Sequence, residues 1–341
     1  MDPVQLFGLM LLSLVATGIL IVPFIDFLYK RVKLRRQRQK TVDMFNKPTP
    51  TFDKYNSWKA GTPFGGGALI IGVVSVLSLW SYGIFNVTAS VWEVFVLIFA
   101  IISFGILGLY DDFKKLVDNP EKHAIFGLRF RHKLLLQFGL SFFIALVMYF
   151  KLGYTSIFVR GFGLLDLGFI YVIVATFVIT SFVNAFNIAD GLDGLASGLF
   201  LICLLAFLAI SSSQLDQTLA VFIVILIGSV AAFLYFNIFK ARIWLGDVGS
   251  MSLGATLAVI GLLNGKILAL VVIGGVFVIE VGSSLIQLLG KKYLGRKIFP
   301  VAPFHLLLLK RGWEEPKIVM RAWLFGFFFA ILGLFIAAIS K

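Results

Sequence analysis

With 60% hydrophobic and only 14% charged residues among 341, this chain has too few polar side chains to cover a water-facing surface. That excludes a soluble globular protein and marks a polytopic membrane protein. The net charge of +13 would point to nucleic acid in a soluble protein; in a membrane chain it reflects topology and contact with anionic membrane lipid, so no nucleic acid partner is expected.

Ten apolar segments are long enough, or nearly so, to cross a bilayer: roughly 4–28, 65–84, 91–110, 134–150, 168–186, 195–210, 218–237, 250–264, 267–289 and 319–340. The first reads as a spanning helix and not as a cleavable signal, because no basic region precedes it and no small-residue cleavage site follows it. The whole of 1–341 is read as one all-α integral-membrane domain. All Lys and Arg except Lys151, Arg160, Lys266 and Lys341 fall in alternate loops. The positive-inside rule places those loops in the cytoplasm and, with an even number of spans, both termini outside. Cys203, the one cysteine, lies in an apolar run and reads as inert packing.

In chain order, the basic run Lys30 to Lys40, continuing past Pro48 and Pro50, reads as an orientation signal in contact with lipid headgroups. KAGTPFGGG, from Lys59 through Thr62 to Gly67, either offers backbone N–H groups and charge to a phosphate or serves close helix packing. The third segment ends in GLYDDFKK, which puts Asp111 and Asp112 at a helix C-terminus. Negative charge is unfavourable there, so a divalent cation or a basic group such as Lys115 must compensate. One of the two carboxylates is expected to face a site and the other to support it. GLRFRHK, with Arg129, Arg131, His132 and Lys133, is an anion patch or a further orientation signal. His123 and His132 have no ligand spacing and read as surface residues. The outside loop 152–167 carries no chemical signal.

The sharpest interruption of the apolar pattern is NAFNIADGLDGLA, with Asn184, Asn187, Asp190 and Asp193. Asp190 and Asp193 are three apart, so in a helical turn they project to one side, and Gly191 and Gly194 allow a ligand to approach. The stretch is either a polar site for a metal or a phosphate-bearing ligand, or a Gly/Asp turn between helices. Asn237 ends the seventh span, and WLGDVGS follows from Trp244 to Ser250. Asp247 there suits a hard cation completed by phosphate oxygens, or an ordinary helix cap. Glu280, inside the ninth span, is expected to face the interior or a polar groove shared with Gln287. In APFHLLLLKRGWEEPKIVMRAW, His305 precedes four leucines, as in an amphipathic piece on the membrane surface with one polar residue turned to the site. The aspartate pair, the 184–196 stretch, GDVGS and His305 all fall on the basic-loop side. Convergence of polar motifs on one membrane face reads as an active site.

The ordered set of KAGTPFGGG, YDDFKK, GLRFRHK, NAFNIADGLDGLA, the Asn237–Ser250 stretch, VIEVGSSLIQ and the APFH to GWEEPKIVMRAW block resembles the polyprenyl-phosphate N-acetylhexosamine-1-phosphate transferases of bacterial membranes. Within them the chain looks most like the phospho-N-acetylmuramoyl-pentapeptide transferases. The resemblance implies a ten-helix protein, commonly a homodimer, in the bacterial cytoplasmic membrane with its groove facing the cytoplasm. It implies transfer of phospho-N-acetylmuramoyl-pentapeptide from UDP-MurNAc-pentapeptide to undecaprenyl phosphate, yielding lipid I for peptidoglycan and UMP. By the same resemblance Asp247, with Asp111 as a further candidate, would bind Mg2+, and Asp111 and Asp112 would act on the lipid phosphate as ligand, base or nucleophile. Asn184, Asn187, Asp190 and Asp193 would line the nucleotide pocket, Trp244 would stack on uracil, Lys59, Lys115 and Lys133 would meet phosphates, and Thr62 and Asn237 would join the substrate contacts. His305 would be the first, catalytic histidine of a triple-His signature. The chain departs from that pattern where Leu306 to Leu309 replace two histidines and the following Phe and Glu, and where TPFGGG replaces TPTMGG. A sibling enzyme transferring phospho-GlcNAc, a transporter and a non-catalytic lipid- or nucleotide-binding relative are the alternatives.

Overall fold

The computed structural model describes residues 2–32, 59–85, 90–117, 130–159, 163–214 and 216–339. Most of the basic run from Lys30 to Lys40, together with Pro48, Pro50, His123, Arg129, Arg160 and Lys341, lies outside them. The described elements are α1 (Pro3–Phe27, continued by a π-helical turn, Leu28–Val32), α2 (Gly67–Ile84), α3 (Val91–Val117) and α4 (Phe130–Leu152). A two-stranded antiparallel hairpin follows, β1 (Ser156–Val159) and β2 (Gly163–Asp166), then α5 (Ile170–Ala189), α6 (Leu195–Ser213), α7 (Gln217–Asn237) and α8 (Gly246–Leu263). The chain continues through α9 (Ile267–Ile273), α10 (Gly275–Tyr293), α11 (Phe304–Lys310) and α12 (Glu315–Ala338).

Among the described residues, nine helices are long and apolar enough to cross a membrane, and the bent pair α9–α10 brings the number of candidate spans to ten. The protein is an all-α polytopic membrane protein. Two features differ from the sequence expectation. The ninth apolar segment is not one straight span: it turns by 79° between α9 and α10. At that corner Gly274 lies so close to α5 that a Cβ would sit 2.6 Å from the Phe182 ring. The helices also run past their apolar windows, so α3 carries Asp111, Asp112 and Lys115, α4 begins before Lys133, and α8 and α12 take in Asp247 and Glu315. The hydrogen-bond ladder continues into the interface because unpaired backbone groups are costly at membrane depth.

The span α8 is the centre of the bundle, with every residue from Val248 to Leu263 buried. It is also the least apolar of the candidate spans, because it faces protein and not lipid. Association of helices in lipid depends on close packing and not on a difference in hydrophobicity, so small residues mark the contacts. Gly67 of α2 meets Gly249, where an added Cβ would stand 2.1 Å from the Gly249 Cα. Gly108 of α3 meets the Asp247 carbonyl at a likewise virtual 2.1 Å. Ser252 Oγ donates to the Ile101 carbonyl at 2.6 Å, tying α8 to α3 again. The start of α8 is thus gripped between α2 and α3, and Asp247 with it. Elsewhere Thr17 of α1 meets Ser229 of α7 at 2.8 Å. Phe325, Phe327 and Phe328 of α12 are exposed, as lipid-facing residues are. The C-terminal ends of α3, α5, α7 and α10 and the N-terminal ends of α4, α6, α8 and α12 alternate along the chain, so all the polar motifs meet at one end of the bundle.

Candidate active site

Three carboxylates and two lysines form the centre of that end. Asp111 and Asp112 occupy the last turns of α3, both buried. Lys115, one turn further on, lies 3.3 Å from Asp111 Oδ2, 3.6 Å from Asp112 Oδ1 and 2.7 Å from Asp247 Oδ2. Lys133, from the first turn of α4, lies 3.1 Å from Asp111 Oδ2 and 2.7 Å from the same Asp247 oxygen. The lysines answer the electrostatic difficulty of two aspartates at a helix C-terminus. The adjacent aspartates divide their tasks. Asp111 turns toward both ammonium groups, while Asp112 Oδ2 accepts the Val248 N–H at 3.1 Å and so satisfies a backbone donor in the first turn of α8.

The second oxygen of Asp247 accepts from Asn187 Nδ2 at 3.1 Å, and the same amide donates to Ser250 Oγ at 2.7 Å. Asn184, one turn back on α5, donates to Gln137 Oε1 of α4 and to the Thr180 carbonyl, each at 2.8 Å. The α5 asparagines therefore brace α4 and α8 from between.

Asp190 and Asp193 do not lie in one helical turn. The helix α5 ends at Ala189 with Asp190 as its cap, and Gly194, at φ 77°, precedes the start of α6. Asp193 belongs to a second, buried cluster. Its carboxylate lies 3.2 Å from Lys59 Nζ and accepts the Ala241 N–H at 2.9 Å. Glu315, from the first turn of α12, lies 2.6 Å from Lys59 Nζ and accepts the Asp193 N–H at 2.7 Å. The Lys59 ammonium also sits 4.5 Å over the Trp244 ring. Lys59 thus pairs with Asp193 and Glu315, since a buried ammonium is tolerated only when paired.

Trp244 is buried, and its backbone N–H donates to the Pro63 carbonyl at 2.9 Å while its backbone carbonyl accepts the Gly66 N–H at 2.9 Å. The KAGTPFGGG stretch therefore forms a short bridge to the loop before α8, with half-buried Thr62 at its start. Asn237 accepts from Ser197 at 2.7 Å and donates to the Ile243 carbonyl at 2.9 Å, pinning that loop to α6. His305 is buried on α11, its Nδ1 3.0 Å from Glu280 Oε2, with Glu280 also accepting its backbone N–H. A Cβ on Gly191 would stand 2.6 Å from His305 Nε2, so the imidazole abuts the turn between α5 and α6. Gln287 binds the backbone of Ile298 and Phe299, closing the loop that returns to His305. Arg131 and His132 are exposed.

Residues 94–265 match the glycosyl transferase family 4 model. The chain belongs to that family. It is 37% identical over 288 residues to the phospho-N-acetylmuramoyl-pentapeptide-transferase of Geobacillus sp. (strain WCH70), covering 83% of this chain and 86% of the relative. It is 36% identical to the enzyme of that name from Bacillus velezensis (82% of this chain, 84% of the relative) and 35% identical to that of Bacillus subtilis (strain 168), at 83% and 86%.

The family 4 match takes in the Asp111, Asp112 and Asp247 cluster with both its lysines, and leaves Lys59, His305 and Glu315 outside. Glu315, Gln137 and Ser250 were not singled out from sequence as part of the site. A signal existed for each: a carboxylate just before the last apolar segment, an amide inside the fourth, and a serine in GDVGS itself.

Proposed function

We propose that this member of glycosyl transferase family 4 transfers phospho-N-acetylmuramoyl-pentapeptide from UDP-MurNAc-pentapeptide to undecaprenyl phosphate, forming lipid I and UMP. The observation that carries this reading is the convergence of Asp111, Asp112, Asp247, Lys115 and Lys133 at one end of a membrane bundle whose relatives bear that enzyme's name. An oxygen of the lipid phosphate forms a bond to the sugar-bearing phosphorus, the bond from that phosphorus to UMP breaks, and UMP leaves with the electron pair. Such a reaction needs charge neutralisation and in-line positioning more than covalent chemistry. Lys115 and Lys133 supply positive charge to the phosphates. Asp111 acts directly at the lipid phosphate, and Asp112 fixes the start of α8. The nucleotide lies against Trp244, Asn184, Asn187 and Asp190, and His305 meets the donor beside Gly191.

The donor set suits magnesium. Asp111 Oδ2 and Asp247 Oδ2 come from different helices and already share two cations, the Lys115 and Lys133 ammonium groups. Magnesium takes one or two protein carboxylates and completes its shell with phosphate and water. Magnesium held by Asp247 and Asp111 would supply Lewis-acid charge to the diphosphate. We read this end as facing the cytoplasm of a bacterial inner membrane, a reading supported by the concentration of Lys and Arg in the loops on this side, and the protein as a homodimer.

The test is UMP release by purified protein with magnesium and undecaprenyl phosphate, with UDP-MurNAc-pentapeptide and UDP-GlcNAc offered in parallel. Release from the muramoyl donor is expected; release from UDP-GlcNAc alone would move the protein to the sibling reaction, and none from either would remove the catalytic reading. A second expectation concerns Gly191→Ala. The added methyl must push the His305 ring, which Glu280 holds from its other side, so the turnover rate should fall about ten- to hundredfold with the melting temperature nearly unchanged. Unaltered turnover would show that the ring's placement is immaterial.

A further inference from the structure

The position of Lys133 is the part of the site that simple phosphate binding does not explain. Its ammonium bridges Asp111 Oδ2 at 3.1 Å and Asp247 Oδ2 at 2.7 Å, the two oxygens that the proposed function assigns to magnesium. Lys115 reaches the same two oxygens, at 3.3 and 2.7 Å, but has a third carboxylate on its own helix, Asp112 Oδ1 at 3.6 Å. Lys133 comes from α4 and, among the described residues, pairs with just the two carboxylates that would share the metal. Two ammonium groups crowd one oxygen, since Lys115 is also 2.7 Å from Asp247 Oδ2. Like charges that close repel each other, which favours release of one of them when a stronger cation arrives.

We propose that Lys133 is a resident counter-ion, displaced from Asp111 and Asp247 by the entering divalent cation and thereby freed to bind the phosphate of the lipid acceptor. The proposal rests on the assignment of the metal to those two carboxylates. Three carboxylates against two ammonium groups leave the cluster with one negative charge, and a divalent cation turns this into one positive charge. The site then attracts an anion that it previously repelled. Metal and lipid phosphate therefore bind cooperatively, and by linkage each raises the affinity for the other by the same factor.

The test is Mn2+ binding followed by electron paramagnetic resonance on the full-length protein in detergent, with and without undecaprenyl phosphate. Without lipid, Lys133→Met and Lys133→Gln should each bind Mn2+ about tenfold more tightly than wild type, because the competing charge is gone, whereas Lys133→Arg should stay near wild type. Adding undecaprenyl phosphate should tighten Mn2+ binding several-fold in wild type and much less in the two neutral variants. Equal or weaker Mn2+ affinity in whichever neutral variant folds would overturn the counter-ion role while leaving the metal assignment standing. Mn2+ binding that Asp247→Asn does not weaken would overturn the metal assignment, and this inference with it.

Discussion

Replacing Asp247 by alanine is expected to lower the rate of UMP release by about a thousandfold or more, the largest loss of activity among single substitutions at this site. Its carboxylate joins both lysines of the cluster to Asn187 of α5. Oδ2 takes both Lys115 and Lys133 at 2.7 Å, and Oδ1 takes Asn187 at 3.1 Å. Without it the two ammonium groups fall back on Asp111 and Asp112, and the site loses its shared cation position. The fold should survive, because α8 is held by backbone approaches at Gly67 and Gly108 that do not involve the side chain. The melting temperature should therefore stay close to that of wild type while turnover collapses. Asp112→Asn should cost less than Asp247→Ala, since an amide oxygen can still accept the Val248 N–H. Activity within tenfold of wild type for Asp247→Ala would remove this residue from the chemistry.

The largest effect on stability is expected from Lys59→Met. Lys59 is 1% exposed and stands between Asp193 and Glu315, at 3.2 and 2.6 Å. Deleting the cation leaves two buried carboxylates facing each other, and an uncompensated buried charge costs about 3–5 kcal/mol. Thermal unfolding in detergent should show the loss directly. The double variant Lys59→Met/Glu315→Gln should recover part of it, because one of the two opposed charges is removed and the glutamine carbonyl can still accept from the Asp193 N–H. A single variant that melts with wild type would mean that the three residues do not brace the α5–α6 turn against α12.

Much of this architecture is legible in the sequence for local reasons. A run of some twenty apolar residues spans a bilayer whatever its neighbours, so the candidate spans can be counted without a structure. The distribution of Lys and Arg along the loops then separates one end of the bundle from the other. From these two facts alone, Asp111, Asp112, Asp247 and His305 come to one face. Glu280 also follows, since a carboxylate inside a span needs a polar partner; the partner proved to be His305.

What the sequence could not decide is which of the gathered groups touch. Asp111 and Asp247 share lysines across more than a hundred residues of chain only because glycine contacts draw α3 and α2 against α8. Lys59 pairs with Glu315, a residue 256 positions away, a contact that the motif around Lys59 does not announce. Asp190 and Asp193 look like a pair in one helical turn by spacing, but α5 ends at Ala189 and Asp193 pairs with Lys59. The 79° bend between α9 and α10 has the same origin, since Gly274 yields where Phe182 of another helix presses on it. Hydrophobic length and loop charge are properties of a segment and can be read along the chain. Ion pairing and close backbone approach are properties of two segments together, and only the packed bundle fixes them.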